Sequence, residues 1–345
     1  MRKAALQVVD TGPLESLSVM LKSAGYDSYL LSQSMRGELR SMGCDNVAEI
    51  DDLVRNWGYE APARLPSVNR WSEVDLYVDV KAHRNGPKLW AVHPELRDRT
   101  LWYRINGGKP EHVIRADGFD CGDEVNPPCP VLTPNQWYKK DEDIYAPEGF
   151  PREARWKGKA YACWPPFVGK ERYWRHSNPT GSPVCFVHNL AGWGFGALEA
   201  GMRSLGVRMY GVRSPDGLLP HTAVPGALAH ALAYVHLKGS DAPGYALYEA
   251  LSSGCPCVVH RALIWKNAME ELFDESTCLM YGAADHAPPD PVKCCEEVEL
   301  ALGKLRDREF NKRIGEAGKE RLEKLMWSEE RDAADLARFL QRNFP

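Results

Sequence analysis

Apolar positions along the chain gather into short runs separated by amphipathic stretches. The run KAALQVVD (3–10) breaks at TGP, the amphipathic LESLSVMLKSAG (14–25) follows, and a second apolar run, DSYLLS (27–32), closes the unit. A nearly continuous apolar run bounded by turn residues is how a strand buried on both faces reads, so the chain opens as β-loop-α-β. Further strands are expected at DLYVDV (75–80), KLWAVH (88–93), LWYRI (101–105) and PVLTP (130–134), with shorter helices or loops between them. Strands that alternate with helices imply a parallel sheet covered on both faces.

From about residue 165 the texture changes. PPFVGKERYWRHSNPTGSP (165–183) is rich in proline, glycine and charge, as a surface connection between domains should be. A second series then runs through strand VCFVH, helix GFGALEAGMRSLG, strand VRMYGV, helix PGALAHALA, strand YVHLKG, a further helix and strand CPCVVH. A charged helical tail begins at Glu296. The reading is α/β, with two Rossmann-like domains facing a central cleft: residues 1–165, a linker at 166–182, residues 183–328, and a terminal helix at 329–345. In open parallel sheets ligands sit beyond the carboxyl ends of the strands, so each domain would offer that edge to the cleft.

Composition narrows the function classes. The formal net charge of −4 does not announce a nucleic acid or a membrane for the chain as a whole. No apolar run reaches the roughly 18 residues of a membrane span, and the first ten residues do not form a signal segment, so a soluble cytoplasmic protein is expected. The ten cysteines lack paired zinc-ligand spacings and are expected as reduced, mostly buried thiols, with no metal site.

The stretch SDAPGYALYEALSSGCPCVVH (240–260) carries the candidate chemistry. On a helix Glu249 shares its face with Tyr245, Ala246, Ser252 and Ser253, small or polar neighbours that leave room for a ligand. Asp241 reads equally as a helix N-cap and Glu249 as a solvated helix residue. Asp241 and Glu249, seven residues apart and followed by a small-residue helix end and an apolar strand, resemble the acidic-x7-Glu signature of the GT-B, retaining nucleotide-sugar glycosyltransferases (family 4-like, group 1). That family usually has Glu first and a Gly-Phe-Gly type turn, where this chain has Asp241-Ala-Pro-Gly-Tyr245.

The resemblance implies that Glu249 grips the nucleotide ribose and that Asp241 lies near the donor sugar as a catalytic residue. Backbone N–H groups at Gly244 and Tyr245 would face the sugar and diphosphate. It further implies that Gly12, in the turn DTGP, brings backbone to the donor phosphates, and that His93, ending KLWAVH, stands at the reacting sugar. PVLTPNQWY and ACWPPFV resemble the last strand of the first domain and the crossover. The closing WSEERDAADLARF resembles the terminal helix that packs back towards the first domain. One departure is plain: HNLAGWGFG (188–196) has no Arg or Lys where the family supplies cations for the leaving diphosphate. Backbone at Gly192, or Arg213 and Lys238 at later strand ends, would have to replace them.

By the same resemblance no metal or other cofactor is required, the donor is a nucleotide sugar of the UDP-sugar type, and a hexosyl group is transferred with retention. For the acceptor, residues 81–115 hold eight Lys or Arg against three Asp or Glu, an excess of five positive charges, interleaved with Trp90, Trp102 and Tyr103. Those aromatics read either as strand core beneath a solvated face or as part of a nucleic-acid surface. Compact GT-B enzymes that modify hydroxymethylated bases of viral DNA resemble this chain. They imply DNA as acceptor partner, contacts from Arg97, Arg99, Trp102 and Arg104, a base swung out of the duplex, and host cytoplasm as location. A basic amphipathic membrane helix is not seen in the first domain, so no membrane partner is expected. A glycan, protein or small-molecule acceptor, and a non-catalytic nucleotide-sugar-binding module, are the alternatives.

Overall fold

A computed structural model describes residues 1–7, 11–42, 65–80, 86–103, 129–133, 153–156, 159–166, 176, 179, 181–187, 196–211, 213–237, 244–266, 269–284 and 290–345. The chain forms two compact units, one of Met1–Phe167 with Met326–Pro345 and the other of Val168–Leu325.

The first unit is built on an eight-stranded sheet. Its strands are β1 (Arg2–Gln7), β2 (Tyr26–Leu31), β3 (Ser67–Val68), β4 (Leu76–Val80), β5 (Thr100–Tyr103), β6 (Val131–Thr133), β7 (Glu153–Trp156) and β8 (Lys159–Cys163), in the order β3-β2-β1-β4-β5-β6-β8-β7. Seven run parallel, and β7 closes the edge antiparallel to β8. Every residue of β4 and β5 is buried, as a strand covered on both faces must be. Helices α1 (Thr11–Ser23), α2 (Gln33–Ser41) and α3 (Gly86–Val92) belong to this unit. So does the terminal helix α10 (Glu329–Asn343), with which Arg342 pairs to Glu153, while Arg2 Nη1 donates to Phe344 O at 2.9 Å.

The strand expected over KLWAVH is instead α3. Four apolar residues in a row, Leu89 to Val92, are too few for periodicity to separate strand from helix. Pro87 sits where the first helical turn tolerates it, and Pro94 follows the end. Leu89 is buried while Ala91 and Val92 face solvent.

The second unit holds a five-stranded, wholly parallel sheet of β9 (Val184–Phe186), β10 (Arg208–Tyr210), β11 (Tyr234–His236), β12 (Cys257–His260) and β13 (Leu279–Tyr281), ordered β10-β9-β11-β12-β13. Its helices are α4 (Gly196–Ser204), α5 (Val224–His230), α6 (Tyr245–Ser253), α7 (Arg261–Lys266), α8 (Pro291–Leu305) and α9 (Arg308–Leu325). One face of the sheet packs against α4 and α8 through Val187, Met202, Val235, Val258, Tyr281 and Val298. Helix α9 lies close against α6, since a Cβ at Gly315 would overlap the carbonyl oxygen of Gly254, and one at Gly318 would meet Leu251 Cδ2 at 2.9 Å. The eight described cysteines are free, seven of them buried, and burial pushes the Cys278 thiol up to about 12.

Each sheet has a point where strand order reverses. In the first unit it lies between β1 and β4, and in the second between β9 and β11. The crevice outside the carboxyl ends of those strands is where open α/β sheets hold their ligands.

Candidate functional site

At the second unit's reversal point, the strand ends are tied together. Val187, just past β9, donates its N–H to Tyr210 O at 2.8 Å and accepts from the Ser214 hydroxyl. That tie holds the turn after β10, in which Arg213 is exposed at φ +59°. A left-handed backbone at a residue with a Cβ is sparsely populated and persists only where its surroundings hold it. Arg213 therefore stands fixed at the carboxyl end of the strand next to β9.

The next strand, β11, leads to α6, so the acidic motif follows the other strand of the reversal point. Gly244 enters α6 with φ 68° and ψ 148°, a conformation that is essentially glycine's alone, and as the N-cap it has no side chain with which to cap the helix start. Tyr245 and Ala246 are half-buried, whereas everything from Leu247 to Ser253 is buried. The helix stops at Gly254, φ 79°, whose N–H bonds back to Ala250 O and Leu251 O, and the chain re-enters the sheet as β12.

Glu249 is buried, only 6% exposed, which removes the reading as a solvated helix residue. Its Oε1 lies 2.6 Å from Nε2 of His221. A carboxylate taken out of water needs a partner, and the imidazole N–H supplies one. His221 begins a 3-10 turn, His221–Ala223, at the entry to α5. Sequence reasoning passed over His221. It is a lone histidine between LLP and TAVPG, 28 residues from its partner, and only the packing of α5 against α6 brings the two together.

The remaining candidates divide by position. Asp241, Gly192, Lys238 and Arg104 lie outside the described residues. Gly12 is the second residue of α1, at the carboxyl end of β1, beside the first unit's reversal point. Tyr245 and Glu249 share α6, and Gly244 is its N-cap.

His93 lies elsewhere. It follows the end of α3 and stands at the N-cap of a 3-10 turn, Pro94–Arg99, that leads into the amino end of β5. Nε2 is 2.5 Å from Glu38 Oε1 on α2, and Nδ1 is 3.6 Å from Glu95. Trp71 Nε1 donates to the other Glu38 oxygen at 2.7 Å, with its rings 5.5 Å from the imidazole. The role expected of His93 rested on a strand end, and the structure supplies a helix end on the amino side of β5. Arg97 and Arg99 are exposed on the same side, and Arg99 donates to Val74 O, which precedes β4, at 3.1 Å. Trp102 and Tyr103 are buried in β5, at 3% and 1% exposure, and present no ring at the surface for a base to stack on. Trp90, half-buried, donates to Thr100 Oγ1 at 3.1 Å.

Among the described residues no three His, Cys, Asp or Glu side chains are grouped to hold a metal ion, and no helix is long and apolar enough to cross a membrane.

No protein-family model matches the sequence, and no curated protein sequence does either. Solved structures match the fold along nearly its whole length. Sucrose-phosphate synthase from Thermosynechococcus elongatus superposes with a TM-score of 0.62 at 14% identity, covering 100% of this chain and 99% of that one. WaaG, a glycosyltransferase involved in lipopolysaccharide biosynthesis, gives 0.55 at 13%, covering 96% and 99%. The apo form of the lipopolysaccharide outer core galactosyltransferase WaaB gives 0.52 at 11%, covering 99% and 100%. The fold is the two-domain α/β architecture of GT-B glycosyltransferases.

Proposed function

We propose that the protein is a glycosyltransferase that moves a hexosyl group from a nucleotide sugar, of the UDP-sugar type, to an acceptor hydroxyl with retention and without a metal. The observation that carries this reading is the position of Glu249: in a GT-B fold, the helix that is entered through Gly244 and bears Glu249 follows β11 at the reversal point of the second sheet. Glu249 would accept hydrogen bonds from the ribose hydroxyls, and the N–H groups at Gly244 and Tyr245, at the positive end of α6, would meet the diphosphate. Arg213, Lys238 and the backbone at Gly192 would neutralise the leaving group in place of the cations absent from HNLAGWGFG. Asp241 would orient the sugar hydroxyls.

As the bond between C1 and the phosphate oxygen breaks, the acceptor oxygen bonds to C1 on the same face, and the acceptor proton passes to the departing phosphate. The chain's contribution is position and charge. His93 has no part in this sequence.

As acceptor we propose a hydroxymethylated pyrimidine in DNA, and as location the cytoplasm, that of the host for a viral protein. Its support is the positive excess over residues 81–115, without stacking from Trp102 or Tyr103. The test is to incubate the protein with UDP-, GDP- and ADP-sugars, with duplexes containing cytosine or hydroxymethylcytosine and with short oligosaccharides, then digest the DNA to nucleosides and weigh the products. A gain of one hexose on the modified base alone is expected. Transfer to a saccharide and not to DNA overturns the acceptor, and neither transfer nor donor hydrolysis overturns the enzyme. Glu249→Gln keeps the shape of the side chain and removes its charge, so UDP affinity by calorimetry should fall by about 10- to 100-fold, the worth of one charge-assisted pair. Unchanged affinity would remove Glu249 from the site.

A further inference from the structure

We propose that His221 is a positioning residue of the donor site: it fixes the Glu249 carboxylate so that this side chain meets the nucleotide ribose already oriented. This rests on the reading of Glu249 given above.

The two residues come from the starts of neighbouring helices. His221 precedes α5, on the segment that follows β10, and Glu249 lies one turn into α6, which follows β11. In strand order β10 and β11 flank β9, so the pair joins the segments on either side of the strand at the reversal point. The His221 side chain is 17% exposed and that of Glu249 8%, and their 2.6 Å contact is thus largely shielded from water.

The backbone around His221 is stiff. Pro220 stands before it at φ −57°, Ala223 N–H bonds to Pro220 O at 2.8 Å, and Pro225 opens α5. Upstream, Asp216 accepts from Met209 N–H at 2.7 Å and Ser214 is tied to Val187. An imidazole held this way can hold another side chain.

Energetics separates a positioning role from a merely structural one. Replacing a buried charged pair by apolar side chains of similar volume is often neutral or stabilising, so the pair is a poor device for joining α5 to α6. For ligand binding the balance differs. A glutamate has several side-chain torsions to immobilise, and a partner that immobilises them beforehand lowers the entropy lost when a hydroxyl docks. A carboxylate accepts at about four lone-pair sites, of which the His221 N–H takes one.

The probes are UDP, GDP, ADP and CDP, and for the tightest of them its 2′-deoxy and 3′-deoxy forms, titrated calorimetrically into the full chain. The wild type should prefer the ribonucleotide to a deoxy form by about tenfold, one good hydrogen bond to a charged group. In His221→Ala that ratio should fall towards one, while the deoxy form binds as before. His221→Gln, which keeps an N–H donor, should recover part of the ratio. In a Glu249→Gln background, His221→Ala should change nothing further. If His221→Ala does not fold, His221→Phe, which keeps the ring and removes the donor, takes its place with the same expectation. Equal loss for ribo and deoxy forms, or a lowered melting temperature with the ratio unchanged, makes His221 structural and overturns the proposal alone. Failure of every ribonucleoside diphosphate to bind the wild type overturns the proposed function and this inference together.

Discussion

The two sheets reverse strand order in the same way, yet the residues that sequence reasoning singled out on each behave differently. In the second unit, Tyr245 and Glu249 lie on one helix, entered through Gly244, that follows a strand of the reversal point, and Arg213 is fixed at the end of the strand beside it. In the first unit, Gly12 stands at the carboxyl end of β1, but His93, Arg97 and Arg99 precede the amino end of β5, and Trp102 is inside it. Spacing along one helix survives folding, because the helix carries all its residues to one place. A cluster spread over 35 residues that cross the sheet does not, since each pass along a strand moves the chain from one edge to the other.

The largest effect that could break this contrast should come from the seat of α6. At Gly315 an added methyl would overlap a backbone oxygen, which cannot swing aside as a side-chain end can, so α9 must back away from α6. Gly315→Ala should therefore destabilise the second unit by about 3 kcal/mol, the upper end for overpacking, and lower its melting temperature by roughly 5–10 °C. Gly303→Ala in α8, where nothing lies within 4 Å of the new methyl, should raise stability by about 0.5–1 kcal/mol. Differential scanning calorimetry of the two variants decides it, and equal melting points would show that α6 is not clamped.

How much of this was legible follows from the kind of signal each feature sends. Strands β1 and β4, and helix α6, are bounded by turn residues and long enough for their pattern to show, and the three-residue β11 sits within the longer apolar run ALAYVHL (231–237). The second unit's succession of strands and helices was readable for the same reason. KLWAVH was not, because an apolar run of only four residues fits either element. Nor were β3, β7 and β13, of two to four residues, or α2, whose mean composition is polar and whose buried face is only Met35, Arg36 and Leu39. Of the site, the motif on α6 was readable as a spacing. Its contact with His221 was not, for pairing across 28 residues leaves no periodic trace.

A smaller effect, confined to the entry of α6, would sharpen the contrast further. The conformation of Gly244 is costly for any residue with a Cβ, though nothing lies within 4 Å of where that atom would go, so the penalty is conformational. Gly244→Ala should cost about 1–3 kcal/mol and weaken UDP binding, because the turn must relax at the N–H groups assigned to the diphosphate. Gly206→Ala, at φ 79° and equally open, is the control: a comparable loss of stability on the far side of α4 from the site, with UDP affinity unchanged. Equal loss of affinity in both would make the effect one of general destabilisation.

The smallest effect is expected where the first unit's cations lie on the wrong edge. If DNA approaches the carboxyl ends of the strands, the cations that matter are those that follow β4 and β5 in sequence, Lys81, Arg84 and Arg104, and not Arg97 and Arg99 ahead of β5. Each phosphate contact contributes roughly 0.9 to the slope of log affinity against log salt, so charge reversal at Lys81 and Arg84 should lower that slope by about 1.8. Reversal at Arg97 and Arg99 should leave it within about 0.3 of the wild type, well under one contact. Filter binding of a hydroxymethylcytosine duplex over a range of salt reads both, with UDP affinity expected to be constant throughout. If Arg97 and Arg99 prove to carry the larger share, the acceptor lies along the amino edge of the first sheet, away from the crevice that its strand order defines. The first unit would then have to be regarded as a charged face that uses the opposite side of its sheet, a real difference from the second unit, where motif, strand end and reversal point coincide.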